Sequence, residues 1–384
     1  MRANKVSAIM GNEYDGHELG ELTAHRPLAT LHFDCKYRLL DFSLSNLVNA
    51  NIQSLYMVFS ESKTQSVFDH LGGGREWHLN SVFSHYFLAF QEDILTKYAA
   101  GEAHHAAMID FLKKSKSVYT VYVGNKMLYS IDFRAVIKSH ELQKAQCTTV
   151  FKRVPQTQVY PGDHLFAFTS EGEFTGYEEY TGQVSDAELL NLGMNIFVVD
   201  TNWLIEKLEE SQTTHRYQSV EELLWEQTNQ VQTTPYEYTG YLSNIHDVSS
   251  FYQANMDMLD SKKFNALLYS SQHIITKRKN EVPTYFAEHS AVHGSQFATG
   301  SVIDGTVHRS LISRRSCVAQ GAVIEDSIVM ANGKIGENAE IRYAILDKNV
   351  EVKANIRLVG TRENPLVIKK GTVVTENQLS EGEA

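Results

Sequence analysis

The sequence predicts an α/β domain with a mostly parallel sheet, followed by a left-handed parallel β-helix. Three observations carry this. Over residues 1–280 short apolar runs alternate with amphipathic stretches, the pattern of strands covered by helices. The polar, basic stretch KRKNEVP at 277–283 then interrupts the alternation. Beyond it, from 301 to 359, aliphatic residues recur about every six positions: Ile312, Val318, Ile324, Ile335, Ile341, Leu346, Val352 and Leu358. Six is too short a period for stacked helix pairs and suits three short strands per coil; an ordinary β-sandwich is the competing reading. The domains are placed at 1–280 and 281–384, the second including the linker.

In chain order, strands are expected at 6–10, 55–59, 118–123, 148–151, 164–169 and 192–199. Helices are expected at 43–49, 104–114, 133–142, 202–209, 220–228 and 251–259. The acidic tail 376–384 is expected to fray. The chain of 384 residues is long enough for two buried cores, and 42% hydrophobic with 21% charged residues is ordinary for a globular protein. A net charge of −11 argues against a nucleic-acid partner, which needs a basic face. Cys35, Cys147 and Cys317 are far apart, which argues against a disulfide framework or metal cluster and for a reducing compartment. With no leader and no apolar run of 18 residues or more, neither secretion nor a membrane span is expected, and the expected location is cytoplasmic.

The first strand runs into Gly11, where a glycine-rich loop could turn backbone N–H groups toward a phosphate. The loop here reads GNEYDGHELG over 11–20, with Glu13, Asp15 and Glu18 and no Lys or Arg. A phosphate beside carboxylates is repelled by roughly 1 kcal/mol per close pair even in water. The position suits a nucleotide and the chemistry opposes it.

The following stretch, LTAHRPLATLHFDCKYRLLDFSLSNLVNANI, resembles the N-terminal signature of sugar-1-phosphate nucleotidyltransferases, in particular ADP-glucose pyrophosphorylase (glucose-1-phosphate adenylyltransferase). Leu22, Thr23, Arg26, Tyr37, Arg38, Asp41, Phe42, Leu44, Ser45, Asn46, Asn49 and Ile52 match it. The resemblance implies a Rossmann-like domain of the GT-A type. It also marks departures. The glycine-rich loop is degenerate at Gly11, and the lysine of the signature is Leu28. Where the family places a Mg²⁺-binding aspartate after a glycine, Gly124 is followed by Asn125, a poor ligand for that ion. Asp132 matches a later family aspartate, and its plain role is a helix N-cap. YLSNIHDVSSFYQANMDML, 241–259, keeps the second metal aspartate as Asp247, which alone would hold Mg²⁺ weakly and otherwise caps a helix starting at Ser249 or Ser250. No Lys or Arg occurs from 154 to 206, where the family carries the sugar-phosphate lysine. Arg26, Gly101 (in a stretch like the family's adenine loop) and Gly193 are left as substrate-binding remnants. His104 and His105 in that stretch are expected on different faces of a helix, at or near the surface.

The losses all remove groups that handle phosphate or its metal. They resemble the GlgD-type regulatory subunit of bacterial glycogen synthesis. The resemblance implies a catalytically degenerate chain, inactive or very weak alone, that joins a catalytic ADP-glucose pyrophosphorylase subunit in a tetramer. Mg²⁺ would then belong to the partner. Lys36 and Arg38 match family positions near an allosteric anion site, with Arg314, Arg315, Arg357, Lys369 and Lys370 as candidates for its other wall and a sugar phosphate or inorganic phosphate as effector. The alternative is an active nucleotidyltransferase with a rewired site. An acyltransferase of the hexapeptide-repeat kind would need a base such as His289, His293 or His308 at a coil interface.

Overall fold

The computed structural model describes residues 6–11, 14, 16–60, 63–80, 85–184, 187–213, 216–270 and 272–380; Glu13 and Asp15 of the acidic loop and the end of the tail lie outside them. The α/β domain runs β1 (Val6–Gly11), β2 (His32–Phe33), β3 (Tyr37–Arg38), α1 (Leu39–Asn49), β4 (Ser54–Phe59), α2 (Gln65–Leu71), β5 (His85–Phe90), α3 (Gln91–Ala99) and α4 (Ala106–Ser115). It continues with β6 (Tyr119–Gly124), β7 (Met127–Tyr129), α5 (Phe133–Gln143), β8 (Cys147–Val154), β9 (His164–Phe168), β10 (Phe174–Glu179) and β11 (Leu190–Asp200). Then come α6 (Thr201–Ser211), α7 (Val220–Thr228), β12 (Thr233–Glu237), β13 (Leu242–Asn244), α8 (Val248–Met256) and α9 (Ser261–Leu268).

The main sheet has the order β10-β9-β11-β6-β1-β4-β5, with β8 beside β11 and β12 beside β8. Its centre is parallel: β1 pairs with β4 and β6, and β4 with β5. The long strand β11 runs antiparallel to β6, β8 and β9, so the sheet is mixed on that side. Both faces are covered, as the unbroken apolar runs of its strands require. Alternation along β1 sends Ala8 and Met10 into one core with α1, α2 and α5, and Ile9 into another with α4, α6 and α7.

Local chemistry sets the helix starts. Asp132, Asp200 and Asp247 each accept main-chain N–H bonds in the first turn of α5, α6 and α8. Ser219 and Glu222 form a capping box on α7. Helix α1 begins at Leu39, earlier than the expected 43, because the Asp41 carboxylate accepts from the Arg38 N–H at 2.9 Å and closes the first turn.

The β-helix reaches from Tyr285 to Leu379, beyond the stretch 301–359 over which the six-residue period shows in the sequence. Its strands form three parallel ladders; in one of them Cys317 pairs with Lys334 and Lys334 with Glu351, steps of 17 residues. The corners repeat with the coils. Arg309, Asp326 and Tyr343 are left-handed at one corner, and Arg315, Asn332 and Asn349 at another; Asn and Asp tolerate that region best among residues with a side chain. One ladder, holding Leu311, Ile328 and Ile345, packs on Leu28, Leu31 and Phe33 of the α/β domain in a shared core. The seam also holds polar links: Tyr252 donates to the Asp326 carbonyl at 2.6 Å, and Arg26 pairs with Asp347.

Candidate functional site

Strands β1 and β6 end side by side, Gly11 opposite Gly124. The Tyr122 phenol leans over Gly11 so closely that a Cβ there would stand 1.9 Å from its oxygen, so only glycine fits. The Tyr122 hydroxyl donates to Glu221 Oε2 at 2.9 Å, and Asn195 Nδ2 donates to Oε1 at 2.7 Å. Helix α7 thus delivers the carboxyl group of a half-buried residue to the point where strand ends would meet a ligand. Burial pushes the Glu221 carboxyl up to about 7. The folded chain therefore binds this proton more tightly than the unfolded chain. The associated stability is present below the unfolded value and is lost as pH rises through about 7. Glu221→Gln should remove that slope and stabilise the protein at pH 8 by on the order of 2 kcal/mol, as read from urea denaturation at several pH values.

The pairing of β7 with β13 brings Asn125 and Asp247 to the same rim. Asn125 Nδ2 donates to the Tyr14 carbonyl at 3.0 Å, and the Tyr14 hydroxyl donates to the His246 carbonyl at 3.0 Å. Asp247 Oδ1 accepts from Ser250 N and from Ser250 Oγ, each at 2.7 Å. Asp247 is a helix cap whose oxygen is already engaged, and Asn125 supplies an amide without charge. This pair does not fit Mg²⁺, and among the described residues no group of three His, Cys, Asp or Glu could hold a metal ion. The rim has one cation that the sequence reading missed, Lys126. Its Nζ lies 2.5 Å from Asp163 Oδ1, and Asn244 Nδ2 donates to Asp163 Oδ2 at 2.6 Å, so its charge is balanced locally.

On β11, a Cβ at Gly193 would meet the Trp225 ring at 2.5 Å and Phe166 at 2.9 Å. His164 stacks on Trp225 with ring centroids 4.1 Å apart. The chain's own aromatic rings therefore press on this substrate remnant.

The structure corrects several expectations. Arg26, expected as a substrate remnant, is 4% exposed and paired with Asp347 of the β-helix, because its arm points into the domain seam. Leu28, which stands for the signature's lysine, is fully buried in the same seam. Gly101 lies in the exposed turn between α3 and α4, with nothing within 4 Å of its Cβ position. His104 and His105 are buried and precede α4, with ring centroids 4.3 Å apart. Tyr98 and Tyr217 cover His104, which takes that site off the surface.

A second site lies between the domains. Lys36, Arg38 and His32 from the α/β domain, Lys277 and Lys279 from the linker, and Arg314, Arg315 and Lys348 from the β-helix line one cleft. The cleft holds about 610 Å³ of empty space, part of it open to solvent. Glu281 is the one lining carboxylate among the described residues. It is 2.8 Å from Arg315 and 4.0 Å from Arg314. The other braces are neutral: Arg38 Nη1 donates to the Ser66 carbonyl at 2.9 Å and Lys277 to the Asp69 carbonyl at 2.6 Å. The Arg38 side chain is thus not spent on Asp41, which accepts its main-chain N–H and lies 2.5 Å from His70 Nε2. Burial, with Arg38, Arg26, Lys370 and Lys279 beside it, brings the Lys348 ammonium down to about 8; burial brings Arg38 down to about 10. The cleft thus gathers many cations with little counter-charge among the described residues, the chemistry that favours an anion. Lys36, Arg38, Arg314 and Arg315 come together as the sequence suggested. Arg357 does not, since it pairs with Glu340 at 2.8 Å, and Lys369 and Lys370 do not line the cleft.

Residues 15–160 match the nucleotidyl transferase family model, and residues 282–377 match the GlmU-like C-terminal hexapeptide model. The chain is 27% identical to glycogen biosynthesis protein GlgD of Bacillus subtilis (strain 168), over 97% of this chain and 98% of that protein. It is 28% identical to the GlgD protein of Geobacillus stearothermophilus, over 97% of this chain and 98% of that protein. It is 26% identical to glucose-1-phosphate adenylyltransferase of Desulfitobacterium hafniense (strain Y51), over 98% of each. With both domains in place, these likenesses run end to end: the chain is similar along its length both to GlgD proteins and to glucose-1-phosphate adenylyltransferases.

Proposed function

We propose that this chain is a non-catalytic regulatory subunit of ADP-glucose pyrophosphorylase in glycogen synthesis. It raises the activity of a catalytic chain that converts ATP and glucose 1-phosphate to ADP-glucose and pyrophosphate, in a hetero-oligomer expected to be a tetramer. One contrast supports the reading most directly. Above Gly11 and Gly193 the chain's own Tyr122 and Trp225 crowd the backbone, and the nearby cation is neutralised by Asp163. The interdomain cleft, by comparison, keeps its cations without matching carboxylates. Adenylyl transfer depends on cations and metal ions placed against developing phosphate charge. Asn125 and Asp247 do not supply the metal's ligands, so Mg²⁺ belongs to the partner's site. A phosphate-bearing effector, a sugar phosphate or inorganic phosphate, takes the cleft.

The test is ADP-glucose synthesis by this chain, by a glucose-1-phosphate adenylyltransferase partner, and by the two co-purified. The chain alone is expected to run at least about 10³-fold below the partner, consistent with lost oxyanion and metal stabilisation. The mixture is expected to show a raised rate or a changed effector response. Synthesis by the chain alone at the partner's rate would establish the rewired enzyme instead.

A further inference from the structure

Among the described residues the main sheet has edges with no further strand beside them, and they differ. Strand β10 carries Glu178 and Glu179 and a register shift between Phe174 and Gly176. Strand β12 carries Pro235 and Glu237. Charges, bulges and proline are what keep an edge from pairing with another chain. Strand β5 has none of them. It ends the sheet beside β4, it reads HYFLAF, and it contains no acid, lysine, arginine or proline. Among the described residues, β5 has no ladder partner but β4, and no further main-chain bond involves its residues.

The flank of this edge is apolar and open. Phe87 is 49% exposed while stacked on Tyr56 at 5.3 Å. The helix that follows, α3, has one buried residue, Ile94, and Leu95 is 40% exposed. Helix α3 has acids in its first turn, Glu92 and Asp93, and Lys97 in its last. Ser60 holds Glu92 at 2.6 Å, which leaves Asp93 and Lys97 outward.

We propose that β5 pairs antiparallel, across a two-fold axis, with β5 of a second copy of this chain. The sheet then continues from one copy into the other, and the open N–H and C=O groups are satisfied. A two-fold axis makes the contact self-complementary. It also sets the two α3 helices side by side in opposite directions, with Leu95 near its counterpart and Asp93 of each copy toward Lys97 of the other. The charge order along α3 selects a second copy over an unrelated strand. At a net charge of −11 two copies repel one another in general, so a contact free of like charges is the kind they can make.

The test measures mass in solution by sedimentation of the full chain, with circular dichroism to establish folding. Wild type is expected at the mass of two chains or an even multiple. Phe87→Lys alone and Phe87→Glu alone should each halve that mass, because each places like charges across the axis. Mixing the two variants should restore it, which also shows that both are folded. Asp93→Lys, on an exposed helix position, should weaken the association about 10-fold, and adding Lys97→Asp to it should recover the loss. A wild type of one-chain mass, or folded Phe87 variants that keep the wild-type mass, would overturn the proposal. So would a Phe87→Lys effect confined to co-purification with a glucose-1-phosphate adenylyltransferase, since the edge would then belong to that enzyme.

Discussion

Asp347→Ala is expected to destabilise the folded chain by about 3–5 kcal/mol, the usual cost of breaking a buried ion pair from one side. Arg26 is 4% exposed and Asp347 is fully buried, and they join the two domains directly. Removing the carboxylate strands a guanidinium in the seam. The seam is already rich in positive charge: Arg26 lies close enough to help depress both His32 and Lys348. The loss therefore reaches past the pair, because Asp347 also accepts the Lys348 N–H at 2.6 Å and fixes the turn that carries Lys348 to the cleft. Replacing both partners by apolar groups, Arg26→Met with Asp347→Leu, should cost much less than either charge left alone. Urea midpoints for the single and double variants at neutral pH give the comparison. A single-variant loss below about 1 kcal/mol would mean that water reaches the seam and that the pair behaves as a surface one.

This pair also marks where sequence reading stopped. Arg26 stands in a motif that matches a substrate signature, and nothing local reveals that its partner lies more than 300 residues along the chain. The β-helix was legible because its period is local. Each inward aliphatic residue repeats at the spacing of a coil, and Asn332, Asn338, Asn349 and Asn355 mark the corners through their left-handed backbone. Its first and last coils were less legible. Tyr285 and Phe286 replace aliphatics at one end, and at the other an insertion stretches the step from Glu351 to Val373. In the α/β domain, strands buried on both faces announced themselves, and α7 was read with its observed bounds. Strand β5 and helix α3 were missed because an edge strand is half-covered and α3 buries little, so neither shows a clear period. The departures at Asn125 and Asp247 could be read as residue types. The crowding of Gly11 by Tyr122, and the balancing of Lys126 by Asp163, are properties of packing alone.

Arg38→Ala should weaken sulfate binding to the interdomain cleft by about 10–100-fold, the effect of losing one charge-assisted hydrogen bond donor. Sulfate is the useful probe because it keeps its double charge across the range that matters, so any pH dependence belongs to the protein. Lys348 gives that dependence its sign. Its ammonium is held down to about 8, first by burial and then by Arg38, Arg26, Lys370 and Lys279. A bound dianion offsets both causes and favours the protonated amine, so binding takes up a fraction of a proton near pH 8. Affinity should then fall as pH rises through about 8 and level off at lower pH, where the amine is charged with or without ligand. Lys348→Met should weaken binding at pH 7 and flatten the slope. Titration calorimetry in two buffers of different ionisation enthalpy reads the proton uptake directly. Unchanged sulfate affinity in Arg38→Ala would remove the cleft as an anion site. Reduced affinity with no change in slope in Lys348→Met would keep the site and move the titrating group to Lys279, the other cleft lysine whose ammonium burial lowers.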